Sequence, residues 1–75
     1  MTDLKSSSIQ RKLGVKIRER RLDLGMTQDD LGEKTGLDRT YISGIERGLR
    51  NPALKNLGKL SKALKISIDQ LMKFD

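Results

Sequence analysis

The chain contains no cysteine and no histidine. The first absence excludes disulfides and thiolate nucleophiles; the second removes the commonest metal ligand and general base. Tryptophan is missing too, and one tyrosine and one phenylalanine bring the aromatic content to only 3%. Any core must therefore be filled by leucine and isoleucine. No apolar run approaches the length of a membrane span, and no signal-peptide pattern opens the chain. There is no phosphate-binding glycine loop and no spaced carboxylate set. The residue types of an enzyme are not assembled here, and a cytoplasmic protein with no metal and no cofactor is the expectation.

What is present is positive charge in a short chain. Seventy-five residues make one domain, small enough that its core is marginal without efficient packing or a partner. Lysine and arginine total 16 against 10 aspartates and glutamates, giving a net charge of +6. Such a domain suits a polyanion, although charge alone does not separate nucleic acid from an acidic membrane surface.

The polar, serine-rich stretch Met1 to Ser8 reads as a flexible N-terminal arm, leaving residues 9–75 as the folded domain. Apolar positions at Ile9, Leu13, Ile17 and Leu24, with Val15 and Leu22 nearby, predict a first helix that Gly25 stops. Thr27 followed three residues later by Asp30 resembles a capping box, so a second helix should begin at Gln28. Asp29 and Asp30 in its first turn suit the helix dipole. Asp38 is a plausible N-cap for a third helix, Arg39 to Arg47, ended by Gly48. Asn51-Pro52 predicts a fourth helix with proline in its first position, running to Leu64 and burying Leu54, Leu57, Leu60 and Leu64. Ser67 with Gln70, and Ile66 with Leu71, then mark the start of a short fifth helix reaching Lys73. No strand, internal repeat or interdomain linker is visible, so the fold class is all-α.

The segment TQDDLGEKTGLDRTYISGIERG, Thr27 to Gly48, reads as a helix, a tight turn and a second helix. Gly32 stands where the helices must cross closely, and Gly36 where the chain must turn sharply. Leu31, Leu37, Ile42 and Ile45 supply inward contacts. On the third helix Ile42, Ile45 and Leu49 face inward, with Tyr41 at the margin. Arg39, Thr40, Ser43, Gly44 and Arg47 are expected to point outward. In a helix-turn-helix the start of the second helix reaches base edges in the DNA major groove while the preceding helix crosses the backbone. Arg39 then suits guanine O6 and N7, and Thr40 a base edge or a thymine methyl. Gly44 removes one base contact and lets the backbone approach, which gives DNA shape a larger share of recognition. Tyr41 reads equally as core edge or as a DNA contact through its hydroxyl. Ser43 and Arg47 suit phosphates. Gln28 sits in the first turn of a helix, where amides and dipole favour a phosphate.

The string TQDDLGEKTGLDRTYISGIERGLRNP resembles the lambda-repressor-like helix-turn-helix family. LGVKIRERRLDLGMTQ is similar to that family's first helix and NPALKNLGKLSKALKISIDQLM to its last two, so the likeness runs from about Leu13 to Met72. LDRTYISGIERG most resembles the controller proteins of restriction–modification systems. The resemblance implies a compact five-helix domain and a sequence-specific transcription regulator binding a pseudo-palindromic operator as a homodimer. It implies that Gln28 bonds a phosphate and braces the recognition helix, that Arg50 and Asn51 form a second phosphate clamp, and that Lys55 assists; Thr27 joins this phosphate set. It also implies a partly buried ion pair between Arg21 and Glu46, which removes both from DNA binding and leaves Arg18 and Arg20 as exposed charge.

Double-stranded DNA is thus the expected partner, with RNA polymerase a second if the regulator is an activator. The fifth helix carries Ile68, Leu71, Met72 and Phe74, more apolar residues than one face buries. Leu71 is expected in the core and Ile68, Met72 and Phe74 in a self-complementary interface. Alternatives of the same fold are a phage-type or chromosomal repressor and an antitoxin-type protein-interaction module. A protein partner would favour apolar residues on the outer face of the third helix, where Arg39, Arg47 and nearby Arg50 supply charge instead.

Overall fold

The computed structural model describes the backbone of residues 2–74 and the side chains of residues 8–74. Five helices follow one another: α1 (Thr2–Asp23), α2 (Gln28–Thr35), α3 (Arg39–Glu46), α4 (Leu54–Ala63) and α5 (Ile68–Leu71). There is no strand among the described residues.

Helix α1 starts at Thr2 rather than at Ile9. The residues before Ile9 include neither proline nor glycine, so nothing in them breaks a helix. Leu13 and Ile17 of α1 are buried, whereas Ile9, Val15 and Leu22 are exposed. Between the two buried residues lies Gly14, where α1 crosses the end of α3. A Cβ added there would meet the carbonyl oxygens of Ile45 and Glu46, the latter at 2.7 Å. Only a residue without a side chain permits that approach.

Helix α2 carries the capping box its sequence suggests. The Asp30 amide donates to Thr27 Oγ1 at 3.0 Å, and the Thr27 amide donates to Asp30 Oδ2 at 2.9 Å. At its other end Gly36 takes φ 75° and donates its amide to the Gly32 carbonyl at 2.7 Å. The chain folds back so tightly that a Cβ on Gly32 would lie 2.9 Å from the Leu37 carbonyl oxygen. Asp38 occupies the N-cap position of α3, but its side chain makes no capping bond. Leu37, half-buried, packs on the core behind the turn.

Two apolar expectations fail at the loop between α3 and α4. Leu49 is 66% exposed rather than inward, and Leu54 is 75% exposed rather than buried. Gly48 leaves the helix with φ 75°, which breaks the rotation that would have carried Leu49 onto the Ile45 face. Pro52 does not open α4; the helix begins at Leu54 with Ala53 as N-cap. Leu57, Leu60 and Leu64 do face the core, and Leu54 stands one turn beyond its edge. Helix α5 is also shorter than expected, ending at Leu71, with Ser67 Oγ accepting the Gln70 amide at 3.1 Å.

The helices close around a core of leucine and isoleucine: Leu13, Ile17, Leu31, Ile42, Ile45, Leu57, Leu60, Leu64 and Leu71. Helix α3 lies against α1 and α2, while α4 packs on α2 and α5, and α5 returns to α1. Arg20 is not the exposed charge the resemblance implies. Its Nε donates to the Leu64 carbonyl at 2.9 Å and its Nη2 to the Lys65 carbonyl at 3.1 Å. It thereby satisfies carbonyls left without partners at the end of α4 and meets the negative end of that dipole. Among the described residues no helix is long and apolar enough to cross a membrane.

Candidate nucleic-acid interface

The end of α3 is fixed from beneath by polar contacts. Arg21 grips Glu46 with two parallel bonds, Nε to Oε2 at 2.7 Å and Nη2 to Oε1 at 2.9 Å. Both side chains are almost wholly buried, 8% and 2% exposed. Bidentate geometry is the strong form of this contact. The remaining polar atoms are also served: Arg21 Nη1 donates to the Met26 carbonyl at 2.8 Å, and Gln28 Nε2 to Glu46 Oε1 at 3.1 Å. The hydrogen bond to Glu46 raises the Arg21 pKa above its already high ordinary value, against the opposing effect of burial. A buried pair left half-satisfied is costly, and this one is complete. It ties α1, the start of α2 and the end of α3 together.

The start of α3 is open. Arg39, Thr40 and Arg47 are exposed and Ser43 is half-buried, so these four lie along an accessible side of the helix. Arg39 Nε stands 3.7 Å from Asp29 Oδ1 on α2, both side chains largely in solvent. A contact of that length and exposure tethers weakly and is easily exchanged for a stronger acceptor. Gln28 spends one amide hydrogen on Glu46 and keeps a second for an outside acceptor. Thr27 is exposed at the same helix start, its hydroxyl oxygen engaged by Asp30. The Thr27 amide, then its hydroxyl, hold the Asp30 carboxyl below the usual carboxylate range.

Tyr41 takes the core-edge place that was one of its two expected readings, whereas Gly44 sits differently from expectation. Tyr41 is half-buried against the core, and its hydroxyl accepts a bond from Asn56 Nδ2 at 3.1 Å. The hydroxyl proton is left to donate elsewhere. Gly44 is buried, not outward, and does not expose backbone to a ligand. The side chain of Arg50 lies across it, and the Arg50 guanidinium carbon stands 6.0 Å from the Tyr41 ring centroid. Arg50, Asn51 and Lys55 are exposed beyond the end of α3. Asn56 and Gly14 are contributors that the sequence reading passed over. For Gly14 a signal existed, since an isolated glycine inside a helical pattern usually has a packing reason. For Asn56 there was none, because its partner lies on another helix.

Of the three residues expected to pair two copies, Met72 is exposed, while Ile68 and Phe74 are half-buried and pack partly on the core.

A capped α2, a tight glycine turn and an α3 with one buried and one open side together make a helix-turn-helix. A family model described as helix-turn-helix matches residues 17–71. The chain belongs to that family. It is 43% identical over 70 residues to the control protein C.BamHI of Bacillus amyloliquefaciens, spanning 92% of this chain and 86% of that protein. The control protein C.MunI of a Mycoplasma species is 43% identical over 56 residues, spanning 75% of this chain and 73% of the relative. Among solved structures, the restriction–modification controller protein C.AhdI of Aeromonas hydrophila superposes with a TM-score of 0.80 at 44% identity, over 83% of this chain and 94% of that one. The controller protein C.Esp1396I, captured as a tetramer with its natural 35-base-pair operator, superposes with a TM-score of 0.77 at 43% identity, over 85% of this chain and 88% of that one. The likeness seen in LDRTYISGIERG thus extends over most of the chain. This is a family of regulators, not of enzymes.

Proposed function

We propose that this protein is a sequence-specific transcription regulator of a restriction–modification system, binding a pseudo-palindromic operator as a homodimer. One observation carries the reading: α3 is immobilised at its end by the Arg21–Glu46 pair and offers Arg39 and Thr40 to solvent at its start. A rigid helix with a free, charged first turn is what insertion into the major groove requires. Similarity to controller proteins gives the biological setting.

In this reading Arg39 forks onto guanine O6 and N7, and Thr40 contacts the neighbouring base. Tyr41 donates its hydroxyl proton towards the backbone. Thr27, Gln28, Ser43, Arg47, Arg50, Asn51 and Lys55 meet phosphates, and the start of α2 adds its own amides. Ile68, Met72 and Phe74 seal the contact between protomers, Met72 at its centre because it is the exposed one. The site of action is the cytoplasm, and RNA polymerase is a further partner at promoters the protein activates.

Selection from a randomised duplex pool, followed by footprinting, tests the function directly. The expected result is a symmetric site whose half-sites lie about one helical turn apart, roughly 34–36 Å. Selection of no sequence would remove the operator reading. Sedimentation equilibrium at micromolar concentration tests the dimer, and a persistent species of 8.5 kDa would rule out association in the absence of DNA.

A further inference from the structure

Gly44 has no conformational reason to be glycine. It lies inside α3, and the glycines with positive φ are Gly25, Gly36 and Gly48. Nor does another backbone cross it, as one crosses Gly14. The three atoms nearest to a Cβ placed there belong to Arg50: Cγ at 2.8 Å, Cδ at 3.3 Å and Nε at 3.5 Å. The missing side chain leaves a slot on α3, and the Arg50 stem fills it. The slot leads to the Tyr41 ring, with the guanidinium carbon 6.0 Å from the centroid, at the outer limit of a cation–π contact. The tyrosine is held in turn by Asn56 of α4 through the 3.1 Å bond to its hydroxyl. The Gly44 carbonyl also accepts the amides of Leu49 at 2.8 Å and Arg50 at 3.2 Å, so slot and arm are joined by one short turn.

We propose that Gly44 and Asn56 are positioning residues for Arg50. The inference rests on the DNA-binding function above and assigns these two residues a part in it. Arg50 is exposed and its side chain has many rotamers, so fixing it at the moment of binding carries an entropic cost. The slot narrows the stem and the ring narrows the head before DNA arrives. The arginine that contacts the duplex beyond α3 is thereby presented in register with Arg39 at the other end of the helix. Glycine is a poor helix residue, and its presence here is explained by the partner it admits.

The test separates positioning from stability. In Gly44→Ala the nearest atoms to the new methyl belong to the exposed Arg50 side chain, which can swing aside, and alanine is the better helix former, so the melting temperature should hold or rise. Affinity for the duplex recovered by selection should nonetheless fall about threefold to tenfold, the cost of immobilising a freed arginine. In an Arg50→Ala background Gly44→Ala should change affinity no further. Asn56→Ala should act in the same direction with a smaller loss. Without any DNA, the Arg50 side-chain protons should show ring-current shielding that Gly44→Ala abolishes. Unchanged affinity in Gly44→Ala, an equal loss in the Arg50→Ala background, or persistent shielding would each overturn the proposal. If the wild type binds neither the selected nor a random duplex, it is the DNA-binding reading that falls, while the shielding still decides whether the slot holds Arg50.

Discussion

The two halves of α3 are built on opposite terms. Its end is enclosed: Gly44, Ile45 and Glu46 are buried, Gly14 brings α1 against the carbonyls, and Arg21 and Gln28 saturate the glutamate. Its start is loose by comparison, with Asp38 making no side-chain cap and Arg39 and Thr40 in solvent. Helix α2 shows the contrast again, since its start is closed by a reciprocal capping box. The difference teaches where each helix gets its order. Helix α2 is specified locally, by the residues at its own ends. Helix α3 is held by long-range contacts at its end and along its inner side, which leaves Arg39 and Thr40 at its start free of structural duties. A reading surface needs that division, because a residue that both caps a helix and contacts a base serves neither role independently.

The sharpest way to break the contrast is to attack the enclosed end. Arg21→Ala or Glu46→Ala leaves an uncompensated buried charge and should destabilise the fold by about 3–5 kcal/mol. A double-mutant cycle in denaturant should return strong coupling; additive effects would mean that the pair is not what anchors α3.

At the open end the effect should move from stability to recognition. Arg39→Ala is expected to leave the unfolding midpoint nearly unchanged while relaxing preference at one operator position by about 1–3 kcal/mol per half-site. Arg50→Ala should instead weaken all sequences about equally and make the salt dependence shallower by about one unit. Selection profiles at two salt concentrations distinguish these, and an unaltered profile for Arg39→Ala would take it off the base-reading surface.

The smallest effects compare the two helix starts. Thr27→Ala should cost about 1 kcal/mol, the usual loss for an N-cap hydroxyl. Asp38→Ala, with no capping bond to lose, should cost no more than about 0.5 kcal/mol. Acid adds a second handle on α2. Asp30 has a lowered pKa in the fold, so its contribution is present above the ordinary value of 3.8 and is lost as pH falls through the folded value. Thermal melts between neutral and strongly acidic pH should show Thr27→Ala losing less on acidification than the wild type. Parallel curves would mean that the capping box does not operate in solution.

Much of this architecture is legible in the residue order because its determinants are local. Thr27 and Asp30 announce α2, Gly36 announces the turn, and the spacing of Leu57, Leu60 and Leu64 announces the buried face of α4. Periodicity failed where the chain left a helix: Leu49 and Leu54 satisfy an apolar pattern on paper, yet the positive φ of Gly48 and the late start of α4 turn them into solvent. Arg20 misled for another reason. Its sequence position shows a charge on α1, and only the packing of α1 beside the end of α4 brings the Leu64 and Lys65 carbonyls within reach.

The sequence by itself determined that this chain is a small basic helical domain with a helix-turn-helix, and it placed Arg39 and Thr40 in the first turn of that motif's second helix. Those features follow from caps, breakers and spacing within a few residues of one another. The tertiary structure alone decided that Gly44 is buried beneath the Arg50 side chain rather than turned outward, that Asn56 bonds the Tyr41 hydroxyl, and that Gly14 lets α1 close on α3. Each of those depends on how the chain packs after it leaves a helix or where helices meet, and that geometry is set by the whole core rather than by the residues in contact.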